Sequence, residues 1–205
     1  MFQQNYKEFK DIVYWYLHFF DKIVFAKVVV NEEDKKEELT EAFLIRINTK
    51  WQKLCESTIY YSIIESPTKY KKELNLSNSV FLDKKECEML IKRENRGRFL
   101  STSNYDKLLS ATTKYLVNEN NPFLKISVEN GNILNELNDV RNYIVHESEI
   151  AKEKYFKILD KYNIPHETFP GKFLILPNIA PGGGCFFAYY LFKILEIYDS
   201  MFSKF

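Results

Sequence analysis

Histidine is the side chain whose ordinary pKa lies near neutrality, and this chain offers three as proton carriers, His18, His146 and His166. His18 sits among Tyr16, Leu17, Phe19 and Phe20 and reads as a core or interface histidine. His166 follows Pro165 in a turn and reads as solvated. His146 is different. It ends the segment Asn138-Asp139-Val140-Arg141-Asn142-Tyr143-Ile144-Val145-His146, in which polar residues suited to phosphate occupy one side of an otherwise apolar helix. An imidazole can exchange a proton with a reacting oxygen. A guanidinium cannot act as a base, but it grips phosphate through paired N–H donors and stabilises the charge that builds there. Asn142 precedes His146 by four residues, lies on nearly the same helix face, and can orient the imidazole or the phosphate.

The run Arg141-Asn142-Tyr143-Ile144-Val145-His146 resembles the signature of the HEPN superfamily. These are small α-helical domains whose ribonuclease members carry Arg, a polar residue that is often Asn, about three further residues, and His. The motif covers six residues; the helical pattern from about Glu32 to Phe202 is compatible with the family but less specific. The resemblance implies a metal-independent endoribonuclease without a cofactor. In such an enzyme the ribose 2′-hydroxyl attacks the neighbouring phosphate and leaves a cyclic phosphate and a 5′-hydroxyl. Arg141, Asn142 and His146 would be the catalytic residues. The resemblance also implies a toxin–antitoxin or antiviral setting, with an antitoxin or regulatory protein as a partner.

Five residues at about 100° each put Arg141 and His146 some 140° apart around a helix, so one motif alone does not aim both side chains at one point. In HEPN ribonucleases two domains pack so that both motifs line one cleft, and a single-domain chain would achieve this as a symmetric homodimer. Two other readings stand beside this one. Arg141 and His146 could be surface residues paired with Asp139 and Glu147, or the chain could be a non-catalytic HEPN-like module that binds a nucleotide or protein and regulates a partner.

RNA would also need a basic surface. Residues 68 to 107 carry ten Lys or Arg against six Asp or Glu, and Lys92, Arg93, Arg96 and Arg98 are the candidate backbone contacts. A solvated helix face is the equal alternative for that segment. Most of the 17 Phe, 14 Tyr and 2 Trp belong to a core, but Tyr143, inside the motif, is the aromatic placed to stack on a base. Pro181-Gly182-Gly183-Gly184 precedes a helix without the Lys and Ser or Thr of a phosphate-cradling loop, and reads as a turn. Glu56 and Ser57 are polar positions on a long amphipathic helix that either face the same cleft or are solvated.

The elements that position these residues read as helices almost throughout. Phe2 to about Val29 is an aromatic, apolar segment without Gly or Pro. Asn31 with Glu32, Glu33 and Asp34 reads as a cap, opening a helix of about thirty residues that carries Leu44, Ile47, Trp51, Leu54 and Tyr61 to a stop at Ser66-Pro67. Thr68 to Ser79 reads as a connection. Asp83 with Glu86 forms a capping box for a helix ended by Gly97, and Ser103 with Asp106 opens another to about Val117. Asn118 to Pro122 reads as a loop and Asn130-Gly131-Asn132 as a capped turn. The stripe Ile133, Leu137, Val140 and Ile144 follows, then a helix through Ile150, Tyr155, Phe156 and Leu159 to Tyr162. Phe173 to Leu176 reads as a short strand and Cys185 to Phe202 as a final helix.

The whole chain of 205 residues therefore reads as one all-α domain: a HEPN-like antiparallel bundle with extra helices and at most one short β element near its C-terminus. Residues 1–30 form an N-terminal helix, either part of the core or a dimerisation arm, and residues 31–205 the bundle. A net charge of +1 excludes strong attraction of the whole chain to nucleic acid or acidic membranes, so any electropositive site must be local. The apolar run Ile12 to Phe20 is too short to span a bilayer and lacks the flanks of a secretory signal. The longer uncharged run Phe173 to Phe192 is broken by Pro177, Pro181 and three glycines. Three widely spaced cysteines suggest neither a disulfide framework nor a zinc site, and point to the reducing cytoplasm.

Overall fold

Apolar residues at helical spacing build four long helices, and these set the architecture. In the computed structural model, which describes residues 2–22, 33–80, 82–94, 102 and 104–202, the protein is all-α, with nine α-helices and no strand among those residues. They are α1 (Phe2–Phe20), α2 (Glu33–Glu65), α3 (Thr68–Glu73), α4 (Lys84–Glu94), α5 (Tyr105–Tyr115), α6 (Val128–His146), α7 (Glu149–Lys161), α8 (Pro170–Ile175) and α9 (Phe186–Phe202). At 33 residues, α2 is about 50 Å long and forms the spine, burying Phe43, Leu44, Ile47, Trp51, Leu54, Ile59 and Ile63. Helix α6 is central, in contact with α2, α5, α7, α8 and α9.

The N-terminal helix belongs to the core. Phe9, Val13, Tyr16 and Phe20 of α1 are buried, with Phe20 stacked on Phe187 of α9 at 4.4 Å and Phe9 against Trp51 of α2 at 6.1 Å. The predicted end of this helix near Val29 and the predicted cap at Asn31 lie outside the described residues. His18 is exposed on α1, so its core reading is corrected: the buried stripe 9, 13, 16, 20 faces elsewhere.

The capping box at the start of α4 forms as expected, with Glu86 N–H donating to Asp83 Oδ1 at 2.7 Å and Asp83 N–H to Glu86 Oε2 at 3.3 Å. The stop at Gly97 lies outside the described residues. Helix α5 is capped by Asn104, whose side chain accepts from Lys107 N–H, rather than by Ser103, which is outside the described residues. Residues 68–79 are not only a connection. They include α3, held by Tyr70, which is fully buried against Tyr115 and donates its hydroxyl to the Cys87 carbonyl. The loop expected at Asn118 to Pro122 contains 3₁₀ turns at Asn118–Asn120 and Pro122–Lys125.

Two further expectations are overturned. Asn130-Gly131-Asn132 is not a turn but lies inside α6, because Ser127 caps the helix by accepting from Asn130 N–H at 3.2 Å. Gly131 serves close approach: a Cβ there would overlap the Tyr105 ring of α5. Phe173 to Leu176 is not a strand. Pro170 opens α8, whose Phe173 and Leu174 are fully buried, and Gly171 lies so close to the backbone of Glu37 that α8 seats directly on α2.

Among the described residues no helix is long and apolar enough to cross a membrane, and Cys55, Cys87 and Cys185 are free and buried.

Candidate functional site

The last turn of α6 carries the motif to a corner of the molecule. Glu147 takes the left-handed conformation (φ 45°) and donates its N–H to the Tyr143 carbonyl, ending α6. Ser148 then caps α7 by accepting from Ala151 N–H at 3.3 Å. Only Glu147 and Ser148 separate the two helices, so His146 sits at the tip of a tight helical hairpin, exposed.

Arg141 and His146 meet within one chain. Arg141 Nη1 lies 3.5 Å from His146 Nε2, and Arg141 Nη1 also donates to Asn142 Oδ1 at 3.0 Å. A guanidinium can only donate, so a hydrogen bond here requires the His146 tautomer that has its lone pair at Nε2. The 140° arc between the two positions does not keep them apart, because the arginine side chain reaches around the helix end. Asn142 orients the guanidinium rather than the imidazole. The alternative partners are engaged elsewhere: Asp139 pairs with Lys154 of α7 at 3.3 Å, and Glu147 faces another part of the surface.

The opposite face of the α6 end opens on a cleft of about 340 Å³ lined by Asp34, Glu37, Glu38, Glu41, Glu147 and Tyr143 among others. Burial pushes the Glu41 carboxyl up; a hydrogen bond from Gly171 N–H opposes this, and the neighbouring charges of Glu37, Glu38 and Glu147 add to it. Among the described residues no group of three or more His, Cys, Asp or Glu has a geometry that could hold a metal ion. This side repels phosphate. Tyr143 lines it, with one ring face stacked on Tyr155 at 4.9 Å.

The basic residues of α4 are also remote from the motif. Helix α4 packs on α2 near Glu56, whose carboxyl is raised by burial and by Glu88, against the opposing charges of Lys53, Lys92 and Lys84. Glu41, at the acidic cleft, and Glu56 are fifteen residues apart on α2, about 22 Å of helix. Lys92 is paired with Glu88 at 2.9 Å, Arg93 is exposed, and Arg96 and Arg98 lie outside the described residues. Glu56 therefore belongs to the α2–α4 seam and not to the motif. His166 is hydrogen-bonded to Asp160 at 2.7 Å and stacked on Phe156, not merely solvated. Gly182, Gly183 and Gly184 form an exposed turn before α9.

One anchoring residue escaped the sequence reading. Glu136 is buried, accepts from Tyr190 Oη at 2.6 Å and Tyr162 Oη at 3.0 Å, and pairs with Lys161 Nζ at 2.7 Å, which ties α6 to α7 and α9. Its signal was a lone carboxylate inside the apolar stripe between Ile133 and Val140. Comparison with known protein families, curated proteins and solved structures finds no match to this chain.

Proposed function

We propose that this protein is a metal-independent endoribonuclease of the HEPN kind, with Arg141 and His146 as its catalytic residues and Asn142 positioning the arginine. The observation that supports this reading is the 3.5 Å approach of Arg141 Nη1 to His146 Nε2 on an exposed helix end. A phosphate held by the guanidinium is then within reach of an imidazole. His146 takes the proton of the 2′-hydroxyl as the 2′-oxygen bonds to phosphorus, and the bond from phosphorus to the 5′-oxygen breaks. The same proton is returned to the departing 5′-oxygen, so the products are a 2′,3′-cyclic phosphate and a 5′-hydroxyl. Proton transfer of this kind contributes ~100- to 10,000-fold in rate. Arg141 stabilises the charge on the phosphorane oxygens, and Asn142 holds the guanidinium in place.

The homodimer, the antitoxin or regulatory partner, the toxin or defence setting and a cytoplasmic location follow from the resemblance and belong to the same proposal. Exposed Val145 and Ile150 flank His146 and offer apolar surface for a second copy there. The chemistry is tested by placing a single 2′-deoxynucleotide at a mapped cleavage site of an RNA oligomer. Cleavage at that position should stop while other sites continue; persistence there would overturn the mechanism.

A further inference from the structure

The motif side of α6 continues onto α7. Asp139, Asn142 and His146 recur at intervals of three and four residues and so share one face of α6. Lys154 Nζ reaches Asp139 Oδ1 from α7, which places Lys154 beside that face. Along α7, Lys154, Lys157 and Lys161 recur at three and four residues and form one stripe. The acidic residues Glu149, Glu153 and Asp160 recur at four and seven along the neighbouring line of the helix, and Lys152 lies beyond them. Lys161 is committed to buried Glu136, whose bond and charge hold the ammonium well above its ordinary range, against the effect of burial. Lys157 is exposed between the other two.

Lys154 is half exposed in its pair with the partly covered Asp139, and pairs open to solvent are weak, so a phosphate can recruit Lys154 at little cost. The acidic cleft closes the far side of α6 to a polyanion. We infer that Lys154 and Lys157 hold the backbone phosphates of single-stranded RNA next to the scissile one, so that the strand leaves the Arg141–His146 pair along α7 and not across α4. This inference rests on the ribonuclease reading.

The test uses the full chain carrying His146→Ala, so that RNA is not cut, and a fluorescent single-stranded RNA of about twelve nucleotides titrated at several salt concentrations. Adding Lys154→Gln with Lys157→Gln should weaken binding about tenfold at low salt. It should also flatten the slope of log affinity against log salt by about 1.4, at ~0.7 for each phosphate that is no longer neutralised. Lys157→Gln alone should remove about half of that slope change, and Lys92→Gln with Arg93→Gln should leave the slope unchanged. A parent that binds RNA with a slope indifferent to the α7 changes would overturn the inference and leave the ribonuclease reading standing. A parent that binds no RNA would overturn both.

Discussion

Arg141 and His146 of one chain approach to 3.5 Å across the end of α6, with Asn142 accepting from the same guanidinium nitrogen at 3.0 Å. The pairing is local to one chain, and Glu147 and Asp139 take no part in it.

In the proposed reaction Asn142 acts through Arg141. Asn142→Ala should lower the cleavage rate about tenfold, equivalent to ~1.4 kcal/mol of transition-state stabilisation. In an Arg141→Ala background the same change should have almost no further effect, because the bond it removes is already gone. Full additivity in single-turnover kinetics would show that Asn142 works independently.

Because each motif is complete within one chain, mixing Arg141→Ala with His146→Ala protein should not restore cleavage, even if the two exchange into a mixed dimer. Recovery of a large fraction of wild-type activity on mixing would mean that the working Arg and His come from different protomers.

Much of this was legible beforehand. The stripes of α2 and α6 follow from apolar spacing alone, and Asp83 with Glu86 announced its own capping box. The failures have physical reasons. Adjacent apolar residues in Phe173-Leu174 fit a strand as well as a helix, and only Pro170 and the packing on α2 decide. A helical projection measures the arc between Arg141 and His146 but ignores how far a guanidinium reaches. The basic run around Lys92 is a property of the chain, whereas its distance from the motif is set by where α4 docks along α2.

Gly131 is a packing requirement within α6. Gly131→Ala would drive a methyl into the Tyr105 ring and should destabilise the fold by about 1–3 kcal/mol, in spite of alanine's better helix propensity. Urea denaturation followed by circular dichroism measures this; a stabilised variant would show that Tyr105 swings away freely.

Glu41 has a raised folded value, so its contribution is fully present below the ordinary value of 4.5 and is lost as pH rises through the raised one. Glu41→Gln keeps an acceptor for Gly171 N–H and removes the charge. The variant should be more stable than wild type at pH 7 by a few tenths of a kcal/mol, the gap closing below about pH 4.5. Thermal melts across pH check the sign; destabilisation at pH 7 would mean that the carboxylate is held by a favourable partner.

The most direct test incubates wild-type, Arg141→Ala and His146→Ala proteins with a mixed RNA pool in excess EDTA and analyses the fragment ends. Wild type should cleave in the presence of the chelator and leave cyclic phosphates and 5′-hydroxyls at the new ends, and each variant should lose at least about 100-fold of that activity. Both variants should keep the wild-type circular dichroism spectrum, since Arg141 and His146 lie outside the buried core. Wild-type protein as inactive as the variants, or cleavage that survives both substitutions, would overturn the assignment of Arg141 and His146 as ribonuclease catalysts.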